Sequence, residues 1–185
     1  SPRRSATPRI SIVTPVYDPP IGVLKECLDS VLAQTFTDWE LIMVDDFSPT
    51  AAVPTVIAQY AQRDDRITLI ERDTNGHIVV ASNDGLDAAR GEFVALLDHD
   101  DLLVPEALQQ VVHAIDRHED VDYVYTDEDK VSEDGTLYGA FHKPDWSPER
   151  LRGQMYTSHL SVLRTSLVRE VGGFREGYEI GRAHV

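Results

Sequence analysis

Asp98, Asp100 and Asp101 follow directly on the apolar run Phe93-Val94-Ala95-Leu96-Leu97, with His99 set between the first two. A run without polar alternation fits a strand buried on both faces, and carboxylates that follow it cannot share that interior. They must stand where the strand meets solvent. Acids this close repel one another unless a cation sits among them, and hard divalent ions choose carboxylate oxygens together with substrate phosphates. The pattern points to a metal and phosphate site. His99 offers a nitrogen to a softer metal, but its oxygen-rich neighbourhood favours Mg²⁺ or Mn²⁺ over zinc.

Two more acidic clusters close apolar runs: Asp45-Asp46 after Glu40 to Val44, and Asp127-Glu128-Asp129-Lys130 after Val121 to Thr126. Asp127-Glu128-Asp129-Lys130 alone reads equally as an exposed turn, whereas for Asp45-Asp46 the start of a turn is the lesser alternative. Their common placement at strand ends favours one shared site.

The elements that must carry these clusters alternate. Ile10 to Val13 reads as a strand, stopped by Thr14-Pro15-Val16-Tyr17-Asp18-Pro19-Pro20, where prolines oppose further pairing. Leu24, Cys27, Leu28, Val31 and Leu32 recur at helical spacing up to about Gln34. After the second strand, Pro54 to Ala61 predicts a helix, Ile67 to Glu71 a third strand, and Asn75-Gly76 a turn. Ile78, Ala81, Gly85, Leu86 and Ala89 form another helical face, closed by Gly91. Leu108, Val111, Val112 and Ile115 form the next, with Pro105 tolerable in its first turn. Such alternation predicts an α/β domain, a mostly parallel sheet covered by helices on both faces, with ligands outside the carboxyl ends of the strands. Beyond Glu133 the pattern is looser: a loop at Lys143-Pro144-Asp145-Trp146-Ser147-Pro148, a strand at Leu160 to Leu163, and a short helix from Ser166 to Val171 that ends at Gly172-Gly173-Phe174.

Composition limits the partners. The 185 residues suit one domain with a real core, and 17 Lys and Arg against 32 Asp and Glu give a net charge of −15. That balance argues against nucleic acid or an anionic membrane surface as a general partner, and it makes a phosphorylated ligand dependent on a metal. The single Cys27 can form no internal disulfide, and no apolar run is long enough to span a bilayer. A cytoplasmic setting is expected, either free or at the cytoplasmic face of the membrane.

The ordered pieces Ile12-Val13-Thr14-Pro15-Val16-Tyr17, Gln34-Thr35-Phe36, Val44-Asp45-Asp46-Phe47-Ser48, Leu97-Asp98-His99-Asp100-Asp101 and Val171-Gly172-Gly173-Phe174 resemble the family 2 glycosyltransferases of the GT-A fold, a Rossmann-like architecture. Asn75-Gly76-His77, Asp127-Glu128-Asp129-Lys130 and Lys143-Pro144-Asp145-Trp146 resemble the branch that builds bacterial surface polysaccharides, rhamnosyltransferases among them. The resemblance implies a GT-A domain over 8–179, after a lead or linker at 1–7. It also implies a reaction: transfer of a sugar, with inversion, from a UDP- or dTDP-linked donor to a hydroxyl of a glycan or lipid-linked acceptor.

By the same resemblance, Pro15, Tyr17 and Asp46 belong to the pocket for the donor's base and ribose. A carboxylate such as Asp46 can accept the N–H of a uracil or thymine ring, and Tyr17 can stack on its face. Asp45 holds a ribose hydroxyl or orients its neighbour. Asp98 and Asp100 match the Asp-X-Asp motif that reaches the donor's ribose and the metal bridging its phosphates, and Asp101 joins or supports that shell. His77 matches a position that faces the donor in some members, at what reads as a helix start, where phosphate is favoured; the plain alternative is a helix-start residue with no ligand. Trp146 stacks on an acceptor sugar or fills the core, and His159 reads as an ordinary core or loop histidine.

The likeness breaks after Glu179. The acidic motif that supplies the family's catalytic base is expected beyond that residue, whereas Ile180-Gly181-Arg182-Ala183-His184-Val185 matches a reading frame of a common sequencing adapter. The expectation is therefore a domain cut before its base, with a non-native tail at 180–185, no catalytic residue of its own and little transfer activity. Two other readings stand beside it. One is a catalytically inactive nucleotide-sugar-binding remnant. The other is another Mg²⁺-dependent phosphate-handling α/β domain, disfavoured by the lack of a glycine-rich phosphate loop after the first strand.

Overall fold

The computed structural model describes residues 7–117, 122–126, 140–141 and 160–174. The acidic run 127–130, Trp146, His159 and everything from 175 onward, including the proposed tail, lie outside the described residues.

The strands fall where the unbroken apolar runs are. They are β1 (Ile10–Val16), β2 (Trp39–Asp45), β3 (Ile67–Glu71), β4 (Phe93–Leu96), β5 (Tyr123–Thr126), β6 (Ala140–Phe141) and β7 (Leu160–Arg164). Their order in one sheet is β3-β2-β1-β4-β7-β5-β6. The first four run parallel, β7 is antiparallel to β4, and β5 is antiparallel to β7. Two reversals return β5 to the direction of β4, so the carboxyl ends of β1 to β5 share one edge. The sheet is the mixed, mostly parallel one expected.

Alternate residues of the same strands feed opposite faces, because successive side chains point to opposite sides. Ile10, Ile12, Leu41, Met43, Phe93 and Ala95 pack under the apolar faces of three helices, α1 (Ile21–Leu32), α2 (Ala52–Arg63) and α4 (Ala107–Arg117). Val13, Val94, Leu96 and Leu163 turn the other way and meet α3 (His77–Ala88) and α5 (Thr165–Glu170) through Val79, Leu86 and Val168. The α3 helix lies close on the sheet because Gly85 has no side chain: a Cβ there would stand 2.4 Å from Val13 Cγ1.

One expectation is corrected. Pro15 does not end β1, which runs on through it to Val16, paired with β2 as far as Asp45. The pairing with β4 stops earlier, at Val13. Leu97 N–H donates to Val13 O (3.0 Å), so Val13 and, two positions on, Pro15 face β4. The N–H that proline lacks is thus the one that would have extended the β1–β4 ladder. Pro15 stops one partner and spares the other, and the chain after β4 is released from the sheet at the point where the strand order changes direction. In parallel sheets that is where ligand crevices form.

Candidate donor and metal site

The released chain carries Asp98, Asp100 and Asp101, each offering a carboxylate oxygen within 4.8 Å of the others. Octahedral Mg²⁺ holds oxygens at about 2.1 Å, which sets opposite ligands about 4.2 Å apart. Adjacent ligands stand about 3 Å apart, so the three carboxylates would have to draw closer to share one ion, and the all-oxygen set fits Mg²⁺ or Mn²⁺. The electrostatics agree. Desolvation and then the charge of Asp100 raise the pKa of Asp98, against a smaller lowering by His99. A cation among these groups would offset both penalties. His99 lies outside the three-acid group; its Nδ1 accepts a long hydrogen bond from Tyr17 N (3.4 Å), tying the loop after β4 to the end of β1.

The acidic loop is held from beneath by α1. Buried Gln34 donates from Nε2 to Val104 O (2.8 Å) and accepts at Oε1 from Leu108 N (3.0 Å), while Ser30 Oγ accepts from Leu103 N (3.2 Å). The Gln34-Thr35-Phe36 stretch thus has a physical role: its amide clamps the segment between the acidic cluster and α4. Cys27 sits under the same loop, its Sγ 3.7 Å from Asp98 O. Burial, then Asp101, Asp100 and Asp98, push its thiol up to about 12.

At the neighbouring strand ends, Asp46 N–H donates to Val16 O (2.8 Å), joining the loops after β1 and β2. Asp45 and Asp46 are both buried. Asp45 Oδ1 accepts from both Ser48 Oγ and Ser48 N. Asp46 Oδ1 accepts from Gly76 N (2.8 Å) and Arg72 Nε (3.1 Å), and the Arg72 guanidinium also pairs with Asp84 on α3. Asn75 Nδ2 donates to Asp46 O (3.1 Å). Asp46 is therefore the knot joining β2, the end of β3 and the start of α3. His77 opens α3 exposed and in a left-handed conformation, φ 66°, on that knot. Pro15 is buried and Tyr17 is exposed beside it.

The structure so brings Pro15, Tyr17, Asp45, Asp46, His77 and Asp98 to one edge of the sheet, with Asp100 and Asp101 completing the acidic group. Sequence reasoning missed Arg72, Ser48, Gln34 and Phe47. The available signal for Arg72 was an arginine just past β3, in a stretch otherwise rich in acids; Ser48, Phe47 and Gln34 lay inside the recognised motifs with no role assigned to them.

A family model described as glycosyl transferase family 2 matches residues 11–172. The chain belongs to this family. Among its relatives, the uncharacterized protein y4gI of Sinorhizobium fredii is 50% identical over 172 residues, covering 93% of this chain and 19% of that protein. The O-antigen biosynthesis protein RfbC of Myxococcus xanthus is 39% identical over 182 residues, covering 98% of this chain and 14% of that protein. The chain thus spans less than a fifth of either relative. Among solved structures, the mannosyltransferase PcManGT of Pyrobaculum calidifontis, in complex with GDP-Man and Mn²⁺, superposes with a TM-score of 0.68 at 20% identity, over 100% of this chain and 52% of that one. That likeness establishes the GT-A fold.

Proposed function

We propose that this family 2 glycosyltransferase domain binds a nucleoside-diphosphate sugar through a divalent cation, and is the donor-binding part of an inverting transferase of cell-surface polysaccharide synthesis. The observation that carries the reading is the convergence of Asp98, Asp100 and Asp101 at the carboxyl end of β4, beside the knotted ends of β1 and β2. Asp98, Asp100 and Asp101 would hold Mn²⁺ or Mg²⁺, which neutralises charge on the departing diphosphate. Pro15, Tyr17, Asp45 and Asp46 receive the base and ribose, and His77 faces the donor from the start of α3. The acceptor is a hydroxyl of a glycan or lipid-linked glycan, and the setting is the cytoplasm or the cytoplasmic face of the membrane. No helix among the described residues is long and apolar enough to cross a membrane.

Binding tests this reading without reference to the base that activates the acceptor, which the family resemblance puts beyond Glu179. Calorimetric titration of UDP, dTDP and GDP with Mn²⁺ should show binding that EDTA and Asp100→Ala abolish. A folded chain that binds none of the three would overturn the proposal.

A further inference from the structure

Phe47 is 57% exposed, one residue past Asp46, and holds a left-handed backbone with φ 63°. A bulky aromatic residue rarely adopts this conformation, which puts Cβ against the backbone and which glycine adopts freely. The surrounding bonds force it. Asp46 N is committed to Val16 O, and Ser48 gives both its N–H and its hydroxyl to Asp45 Oδ1, so the chain on either side of Phe47 is fixed. The non-glycine residues with positive φ among those described are Asp18, Phe47 and His77. All stand around Asp46, and backbone strain of this kind concentrates at functional sites.

The second observation is a neighbour. Tyr17 is 51% exposed and stands one residue past β1, while Phe47 stands two residues past β2, on paired strands about 4.8 Å apart. Asp18 N–H donates to Ser48 Oγ (2.9 Å) and Thr50 N–H to Asp18 Oδ1 (3.2 Å), so the loops carrying the two rings are bonded to each other. Two exposed aromatic residues on mutually braced loops, beside a buried carboxylate, make a surface suited to a flat heterocycle. Core packing does not explain a ring so exposed, and the fold would hold this backbone more easily with glycine.

We propose that Phe47 is a second base-contacting residue of the donor site, giving the nucleobase an apolar face beside Tyr17. This inference rests on the donor-site reading above. Because every base has a π-face, Phe47 contributes affinity common to uracil, thymine and guanine, leaving discrimination to hydrogen-bonding groups such as Asp46.

The test is calorimetry of wild type, Phe47→Gly and Phe47→Trp with UDP, dTDP and GDP in Mn²⁺, with pyrophosphate in Mg²⁺ as the ligand that lacks a base. Glycine suits φ 63°, so Phe47→Gly should fold and melt no lower than wild type. Its affinity for all three nucleotides should fall by on the order of tenfold while pyrophosphate affinity stays, and Phe47→Trp should retain nucleotide binding. Nucleotide affinity unchanged in Phe47→Gly would overturn this inference alone, as would an equal loss for pyrophosphate. A wild type that binds no nucleotide would overturn the donor-site reading and this inference together.

Discussion

The two edges of the sheet handle charge in opposite ways. At the amino edge, carboxylates are matched to cations. Buried Glu40 accepts from Ser11 Oγ (2.6 Å), Arg90 N (2.8 Å) and the Arg90 guanidinium (3.1 Å). Buried Asp64 takes a two-pronged bond from Arg66, whose guanidinium lies 3.8 Å over the Trp39 ring. Arg164 joins Glu92 to Asp122. At the carboxyl edge Arg72 answers Asp46, but Asp98, Asp100 and Asp101 face one another, and among the described residues no Lys or Arg pairs with Asp98 or Asp100. The first edge is built for stability. The second keeps an unfavourable charge arrangement that a bound cation or protonation would relieve, as expected where function opposes stability.

Substitutions at the two edges should therefore differ in sign. The largest effect is expected from Glu40→Ala, which strands a partly buried guanidinium: about 3 kcal/mol of stability lost in urea denaturation, with Mn²⁺ affinity unchanged in the folded chain. Asp100→Asn should do the reverse, lowering Mn²⁺ affinity by at least about tenfold in calorimetry while the melting temperature holds or rises. Equal destabilisation by both would erase the contrast.

Acid titration sharpens it further. For Asp64, burial alone would raise the pKa, but hydrogen bonds and charge from Arg66 prevail and lower it. Its contribution is present above the unfolded value of about 3.9 and is lost as pH falls through the lower folded value. The stability gap between wild type and Asp64→Asn should accordingly shrink below about pH 4 in urea denaturation. Asp98, with its raised pKa, has the opposite sign: its ionisation costs stability above its folded pKa, and acid relieves that cost. Denaturation curves with and without Mn²⁺ should show the metal removing the relief.

The last test concerns reactivity, with no change in stability or metal affinity expected. With its thiol near 12, Cys27 should react with a disulfide reagent at pH 8 about a thousandfold more slowly in the folded chain than in urea. Rapid labelling of the folded chain would show that the acidic loop opens readily.

Much of this was legible in order of sequence. Unbroken apolar runs marked β1 to β4, helical spacing marked α1 to α4, and acids after strands marked the site edge, because burial and period are local properties of the chain. The antiparallel insertion of β7 between β4 and β5 was not legible, since pairing partners far apart in sequence leave no local trace. Pro15 misled for a related reason: a proline ends pairing only on the side its missing N–H faces, and the fold decides which side that is.

The sequence by itself determined the alternation of strands and helices, the acidic character of the strand ends and the oxygen-rich chemistry of the 98–101 run, all set by residue type and spacing. Only the tertiary structure decided which carboxylates are neutralised. Arg72 reaches Asp46 and Arg90 reaches Glu40 across 26 and 50 positions of chain. Nothing local to Asp98 or Asp46 distinguishes an acid that has a cationic partner from one that has none among the described residues. Coulombic interaction acts through space, and the distances that set it exist only after the sheet has assembled.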